Sequence, residues 1–265
     1  MSHPPTIKPD TDTKIERITK WKSAVGPSSL ATLPAGHTNP RVSAMITHHS
    51  SNNVSIAASE YHCITESKPA ANLPRANIPS LQVGLNKIVN RWKVPNTVNF
   101  AAYAKGYPTD DARVYAAQML NDACKDWNAL QLGVSFKWVT KIEDAAFVLA
   151  YGGDQGSTLA RSFFPNDDDL STVYVYKRAF EPGYVNYMKN VFLHELGHVL
   201  GLRHEFAPEQ EGDTVQLGVR NEDSVMSYSF PPEMQKSDES STKEFYTLKK
   251  NQIGGWPIRD WIPNN

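Results

Sequence analysis

A chain of 265 residues with 40% hydrophobic and 21% charged residues has the composition of a folded globular protein, which excludes a disordered one. Its 27 Lys plus Arg balance 28 Asp plus Glu, so no net field draws it to nucleic acid or an anionic membrane. No run reaches the ~18 apolar residues of a membrane helix, and no membrane insertion is expected.

The opening MSHPPTIKPD lacks the apolar core of a secretory signal, so the compartment stays open. Residues 1 to ~80 are rich in Pro, Ser, Thr and Asn and read as an irregular extension, a pro-segment or a packed arm. Within it, Val54 to Ile64 has the β-branched and aromatic character of a strand. Asn53-Val54-Ser55 is a glycosylation sequon, and His37, His48 and His49 read as surface residues.

The second segment, residues 81–265, reads as one α+β domain. Leu81, Leu85, Ile88 and Trp92 recur at spacings of three and four, which predicts a helix stopped by Pro95. Val98 to Tyr103 reads as a strand. Thr109 is a cap for a long amphipathic helix with Asp110 and Asp111 in its first turn. Its apolar stripe is Ala116, Leu120, Ala123, Trp127 and Leu130. Ser135 to Val139, Ala146 to Tyr151, Leu159 to Phe164 and Thr172 to Tyr176 read as sheet strands between Gly, Asp and Pro clusters. Tyr187 to Leu200 is a helix, ended by Gly201 in a left-handed conformation. Loops follow until a final helix near Thr242 to Gln252.

Residues 194 to 205 read HELGHVLGLRHE. His194 and His198, four apart, stack on one helical face and reach one metal ion. Gly201 breaks the helix, so that His204 swings back as a third nitrogen at the ~2.0 Å that zinc prefers. Three protein ligands leave a fourth position for water, as in a catalytic zinc site. Glu195 lies about 100° round the helix from His194 and roughly 60° from His198. From there its carboxylate takes a proton from the activated water and passes it to a leaving amine, which is the chemistry of peptide hydrolysis.

HELGHVLGLRH matches the metzincin signature HExxHxxGxxH at every specified position, and EDSVMSY (Glu222 to Tyr228) resembles the family's methionine turn, with Met226 as its methionine. Glu205 after the third histidine resembles astacins, and SVMSY is closer to serralysins. Two cysteines and Leu202-Arg203 depart from the usual astacin pattern. The resemblance is specific over residues 194 to 228 and loose over ~90 to 193. It implies a metzincin-like domain: a twisted, mostly parallel mixed sheet of about five strands, a long backing helix, the active-site helix, the turn and a C-terminal helix. It implies one catalytic Zn2+, with Met226 as a packing floor, Gly201 and Glu205 structural, and Tyr228 as a fifth ligand that swings to the oxyanion during turnover. It further implies secretion, a monomer, and a protein or peptide substrate bound as an extended strand along Leu159 to Phe164.

Two other features stay open. The run from Asn166 to Asp169 offers hard oxygens for Ca2+, and reads first as a solvated acidic loop. Cys63 reads as a buried thiol or a bridge to Cys124; a third reading, as in some metzincin proforms, puts its thiolate on zinc's open position. The function these features imply is a zinc endopeptidase. The alternatives are a latent or inactive zinc-binding effector that keeps the fold, and hydrolysis of a non-peptide amide or ester.

Overall fold

The computed structural model describes Cys63, Thr65 and residues 81–207, 214–218 and 221–265. The rest of the expected extension lies outside the described residues, with its strand over 54–64, the sequon and His37, His48 and His49.

The helix expected over Leu81 to Trp92 is absent. In its place are two strands, β1 (Leu81–Val83) and β2 (Val89–Trp92). Between them Leu85 and Ile88 exchange both backbone hydrogen bonds, at 2.8 and 3.1 Å. Asn86 and Lys87 both have positive φ, 53° and 62°, as a two-residue type I′ turn requires. Gly84, at φ 95°, lies so close to the Trp256 ring that a Cβ there would sit 2.9 Å from it. Turn chemistry overrode the helical spacing of four apolar residues.

β3 (Asn96–Ala102) begins a five-stranded mixed sheet. Helix α1 (Asp110–Ala129) follows, with the Thr109 hydroxyl accepting from Ala112 N at 3.0 Å, and leads into β4 (Val134–Trp138). β5 (Phe147–Tyr151), β6 (Ala160–Arg161) and β7 (Ser171–Val175) complete the sheet in the order β4-β3-β5-β7-β6. All neighbours are parallel except β6, which pairs antiparallel with β7 at the edge. The strand expected over Leu159 to Phe164 is thus only two residues long, because the chain turns inward at Ser162 to meet the helix below.

Period-two alternation divides the core. Phe147 and Leu149 of β5 join the main cluster with α1, where Ala116, Leu120, Ala123 and Trp127 are buried. Val148 and Ala150 face a smaller cluster with Tyr103 and Ile142.

Helix α2 (Met188–Val199) runs through the main core, and its carbonyls are taken up by side chains from three directions. Trp127 Nε1 donates to Leu193 O at 3.0 Å, Trp92 Nε1 to Val199 O at 2.7 Å and the Tyr246 hydroxyl to Leu200 O at 2.9 Å. Val199 O and Leu200 O, at the end of the helix where no further helical N–H reaches them, thereby gain partners. Gly201 then turns the chain at φ 93°, and a Cβ there would lie 2.3 Å from the Asn90 carbonyl oxygen of β2. Gly201→Ala meets both a left-handed backbone and a clash with main chain. It is expected to cost about 3 kcal/mol, read as a shifted urea midpoint at unchanged slope.

The segment after α2 holds more than the loops expected there. β8 (Leu202–Arg203) and β9 (Val215–Leu217) pair antiparallel on either side of β1. The last helix, α3 (Lys236–Thr247), starts and ends earlier than the expected Thr242 to Gln252. Gln235 and Asp238 form a reciprocal capping box that fixes its start. The backbone leaves the helix at Leu248 and forms β10 (Gln252–Ile253) and β11 (Trp256–Trp261). β11 lies parallel to β2, with Ile258 opposite Val89 and Trp261 opposite Trp92. Arg91 of β2 clamps this corner: it binds both oxygens of Asp260, at 2.8 and 3.1 Å, and Phe245 O at 2.6 Å.

The described residues therefore form an α+β domain with a mixed sheet and three α-helices. No helix among them is long and apolar enough to cross a membrane.

Candidate metal centre

His194 and His198 project from the same face of α2, and the reversal at Gly201 returns His204 to them. All three are fully buried. His194 Nδ1 lies 2.8 Å from Val225 O, and His198 Nδ1 lies 2.8 Å from Leu202 O. A carbonyl only accepts, so each Nδ1 must carry the proton, and each Nε2 turns its lone pair towards the shared centre. His194 Nε2 and His204 Nε2 are 3.2 Å apart. Burial pushes His198 down to about 3 and holds His194 and His204 well below the usual histidine range. The rings are therefore neutral, as metal ligation demands.

Cys63 completes the set. Its Sγ lies 3.5 Å from His198 Nε2, and the four donor atoms all fall within 4.8 Å of one another. This group could hold a metal ion. Cys63 and Cys124 are both buried free thiols, so the bridge between them does not form: Cys124 packs inside α1 with the core while Cys63 sits at the histidines. Burial and the neighbouring Glu195 charge push the Cys63 thiol up. A cation among the four donors reverses that sense, because it favours the thiolate.

Glu195 is fully buried beside the cluster. Its Oε2 accepts from the Ser162 hydroxyl at 2.8 Å and from the Thr65 hydroxyl at 2.9 Å. Its Oε1 has no hydrogen-bond partner among the described residues. Burial pushes this carboxyl up to about 6, against the pull of those two hydroxyls, of the Cys63 thiol and of the Arg161 charge.

Beneath the rings, the turn at Met226 is packed against α2. A Cβ on Gly197 would lie 2.2 Å from Met226 Sδ, so the sulfur occupies the space that a side chain would need. Glu205 N donates to Met226 O at 3.2 Å, tying the residue after the third histidine to that turn. Tyr228 stands with its ring centroid 5.0 Å from that of His204, and its hydroxyl donates to the Cys63 carbonyl at 3.3 Å. Phe206 stacks on His204 at 4.8 Å. The acidic run from Asn166 to Asp169 forms no comparable set among the described residues: Asn166 Oδ1 accepts from Asp168 N at 2.8 Å, and Asn264 donates to Asp169.

Three residues at this site carried no signal in the sequence reading. Ser162 and Thr65 reach Glu195 from the sheet edge and from far upstream. Asp238 of α3 braces the Met226 turn, accepting from Ser224 Oγ at 2.6 Å, Val225 N at 2.8 Å and Gln235 N at 2.9 Å. The spacing of Gln235 and Asp238, a helix-start pattern, is the one signal that could have found it. Asp238→Ala leaves two buried donors and one half-buried donor without their acceptor and is expected to cost about 3 kcal/mol. Asp238→Asn is expected to cost about 1 kcal/mol, since its amide oxygen keeps the two N–H groups and its NH2 donates to Ser224. Equal losses in urea unfolding would show that the brace carries no such load. Compared with models of known protein families and with curated proteins, the chain has no match, and its site is read from geometry and sequence.

Proposed function

We propose that this protein is a metzincin-like zinc endopeptidase, held latent in the form described by its own Cys63. One observation carries the reading: three neutral imidazoles and a thiol converge on a point beside a buried carboxylate. Two of the donor spacings are in keeping with zinc. Tetrahedral donors at ~2.0–2.1 Å for nitrogen and ~2.3 Å for sulfur lie about 3.3 Å apart as an N–N pair and about 3.5 Å apart as an N–S pair. The corresponding distances are 3.2 Å and 3.5 Å.

A zinc ion held by His194, His198 and His204 would supply Lewis acidity to water and to a scissile carbonyl. Glu195 Oε1 is the atom that takes the proton from the attacking water and returns it to the leaving amine, while Oε2 stays anchored on Ser162. The apolar surroundings that raise the Glu195 carboxyl also make it a stronger base than an exposed one. The bond from Tyr228 to the Cys63 carbonyl supports Tyr228 as the donor to a substrate's oxyanion. An extended peptide pairing along β6 and Ser162 at the sheet edge is the substrate mode in keeping with this arrangement.

Cys63 in the ligand set also favours a second reading, a zinc-binding protein without turnover. The two are separated by metal analysis followed by cleavage of a diverse peptide library with the Cys63→Ala chain. One equivalent of zinc with cleavage supports the endopeptidase; zinc without cleavage supports the second reading. Absence of zinc, with donors intact, overturns both.

A further inference from the structure

Cys63 ties its segment to the site by its thiol, at His198, and by its carbonyl, which accepts from Tyr228. Two residues on, Thr65 makes a separate set. Its hydroxyl donates to Glu195 Oε2 at 2.9 Å and accepts from the Ser162 backbone N–H at 2.8 Å, while Thr65 N donates to Cys63 Sγ at 3.5 Å. The hydroxyl thus spends its single proton on the carboxylate and one of its two lone pairs on an amide. Ser162, which donates its own hydroxyl to the same Oε2, is the shared platform.

We infer that Thr65 is a second half of the latch, independent of the metal. It donates to Oε2, the anchored oxygen of the proposed general base, so that besides the Cys63 contacts the segment is held by a hydroxyl on Glu195. This inference rests on the endopeptidase reading of the site but concerns contacts that stand without turnover. Its consequence is that a reagent or oxidant that removes the thiol frees only half of the site. Thr65 still covers Glu195 until the segment is cut or pulled away. A hydrogen bond to a buried carboxylate is stronger than one to a neutral acceptor, and its loss speeds opening of the segment about tenfold or more.

The test uses the full zinc-loaded chain and the rate at which iodoacetamide alkylates Cys63, located by peptide mass mapping, with buried Cys124 as the fold control. Thr65→Val is expected to raise the Cys63 rate about tenfold, Thr65→Ser to leave it near wild type, and Cys124 to stay unreactive throughout. Glu195→Ala removes the acceptor and also the charge beside the thiol, so its faster rate is read against Thr65: adding Thr65→Val or Thr65→Ala to it is expected to bring no further gain. The alanine pair remains readable should valine at 65 loosen the fold and expose Cys124. A wild-type rate in both Thr65→Val and Glu195→Ala overturns the inference, as does a serine variant as fast as valine. Cleavage is read in parallel in the Cys63→Ala background. If alkylation responds as expected while no variant cleaves any peptide, the latch stands and the endopeptidase reading falls.

Discussion

With the thiol removed by Cys63→Ala, a further Glu195→Gln change is expected to cut peptide cleavage by about 10²- to 10⁴-fold while bound zinc stays at one equivalent. Glutamine keeps the volume and can still accept from Ser162, whose hydroxyl is 2.8 Å from Oε2 in the native protein. What it loses is the basic oxygen at Oε1, so proton transfer fails while the three imidazoles stay in place. The loss should therefore fall on kcat with KM little changed, the pattern of an interaction made only in the transition state. Equal cleavage by the two chains would remove Glu195 from this role. Loss of zinc along with activity would assign it a structural part instead.

The second large effect is expected from Cys63→Ala itself. If the closed arrangement outweighs the open one by roughly 99 to 1, then about 1% of molecules are competent; deleting the thiol raises cleavage towards the ceiling of about 100-fold, which is reached only when the Thr65 contact is lost as well. Alanine offers no donor atom, so the metal would be held by His194, His198 and His204 alone. A chelator should strip zinc faster from this variant than from wild type, by the loss of one of four donors. Rates of cleavage and of zinc release that both match wild type would mean that the thiol, 3.5 Å from His198 Nε2, is a bystander.

How much of this was legible beforehand differs between local and remote relations. The stripe on α1 is read directly from periodicity, and β4, β5 and β7 from aromatic and branched runs between turn residues, because these signals are local to each element. The histidine constellation was equally visible, since its spacing lies within eleven residues and a single glycine supplies the reversal. The hairpin at Asn86-Lys87 was misread because four apolar residues happened to fall at helical intervals, while two positive-φ residues left only a faint trace in sequence. Thr65, Ser162 and Asp238 were invisible for another reason. Each acts at the site across 130, 33 and 13 residues of chain, respectively, and a lone hydroxyl or carboxylate has no pattern that announces its partner. The bridge between Cys63 and Cys124 failed likewise: a count of two cysteines says nothing of their distance.

The pairing of β2 with β11 also bears on the order of events during translation. The Asn90 carbonyl that abuts Gly201 belongs to a strand whose parallel neighbour is Trp256–Trp261. Until residues 256–261 have cleared the ribosome, β2, which backs the bend that returns His204, lacks its parallel neighbour. A nascent chain paused between His204 and Trp256 would carry every proposed zinc ligand and the proposed general base without a seat to hold them. Hydrolytic competence would then arrive only after synthesis has passed that point.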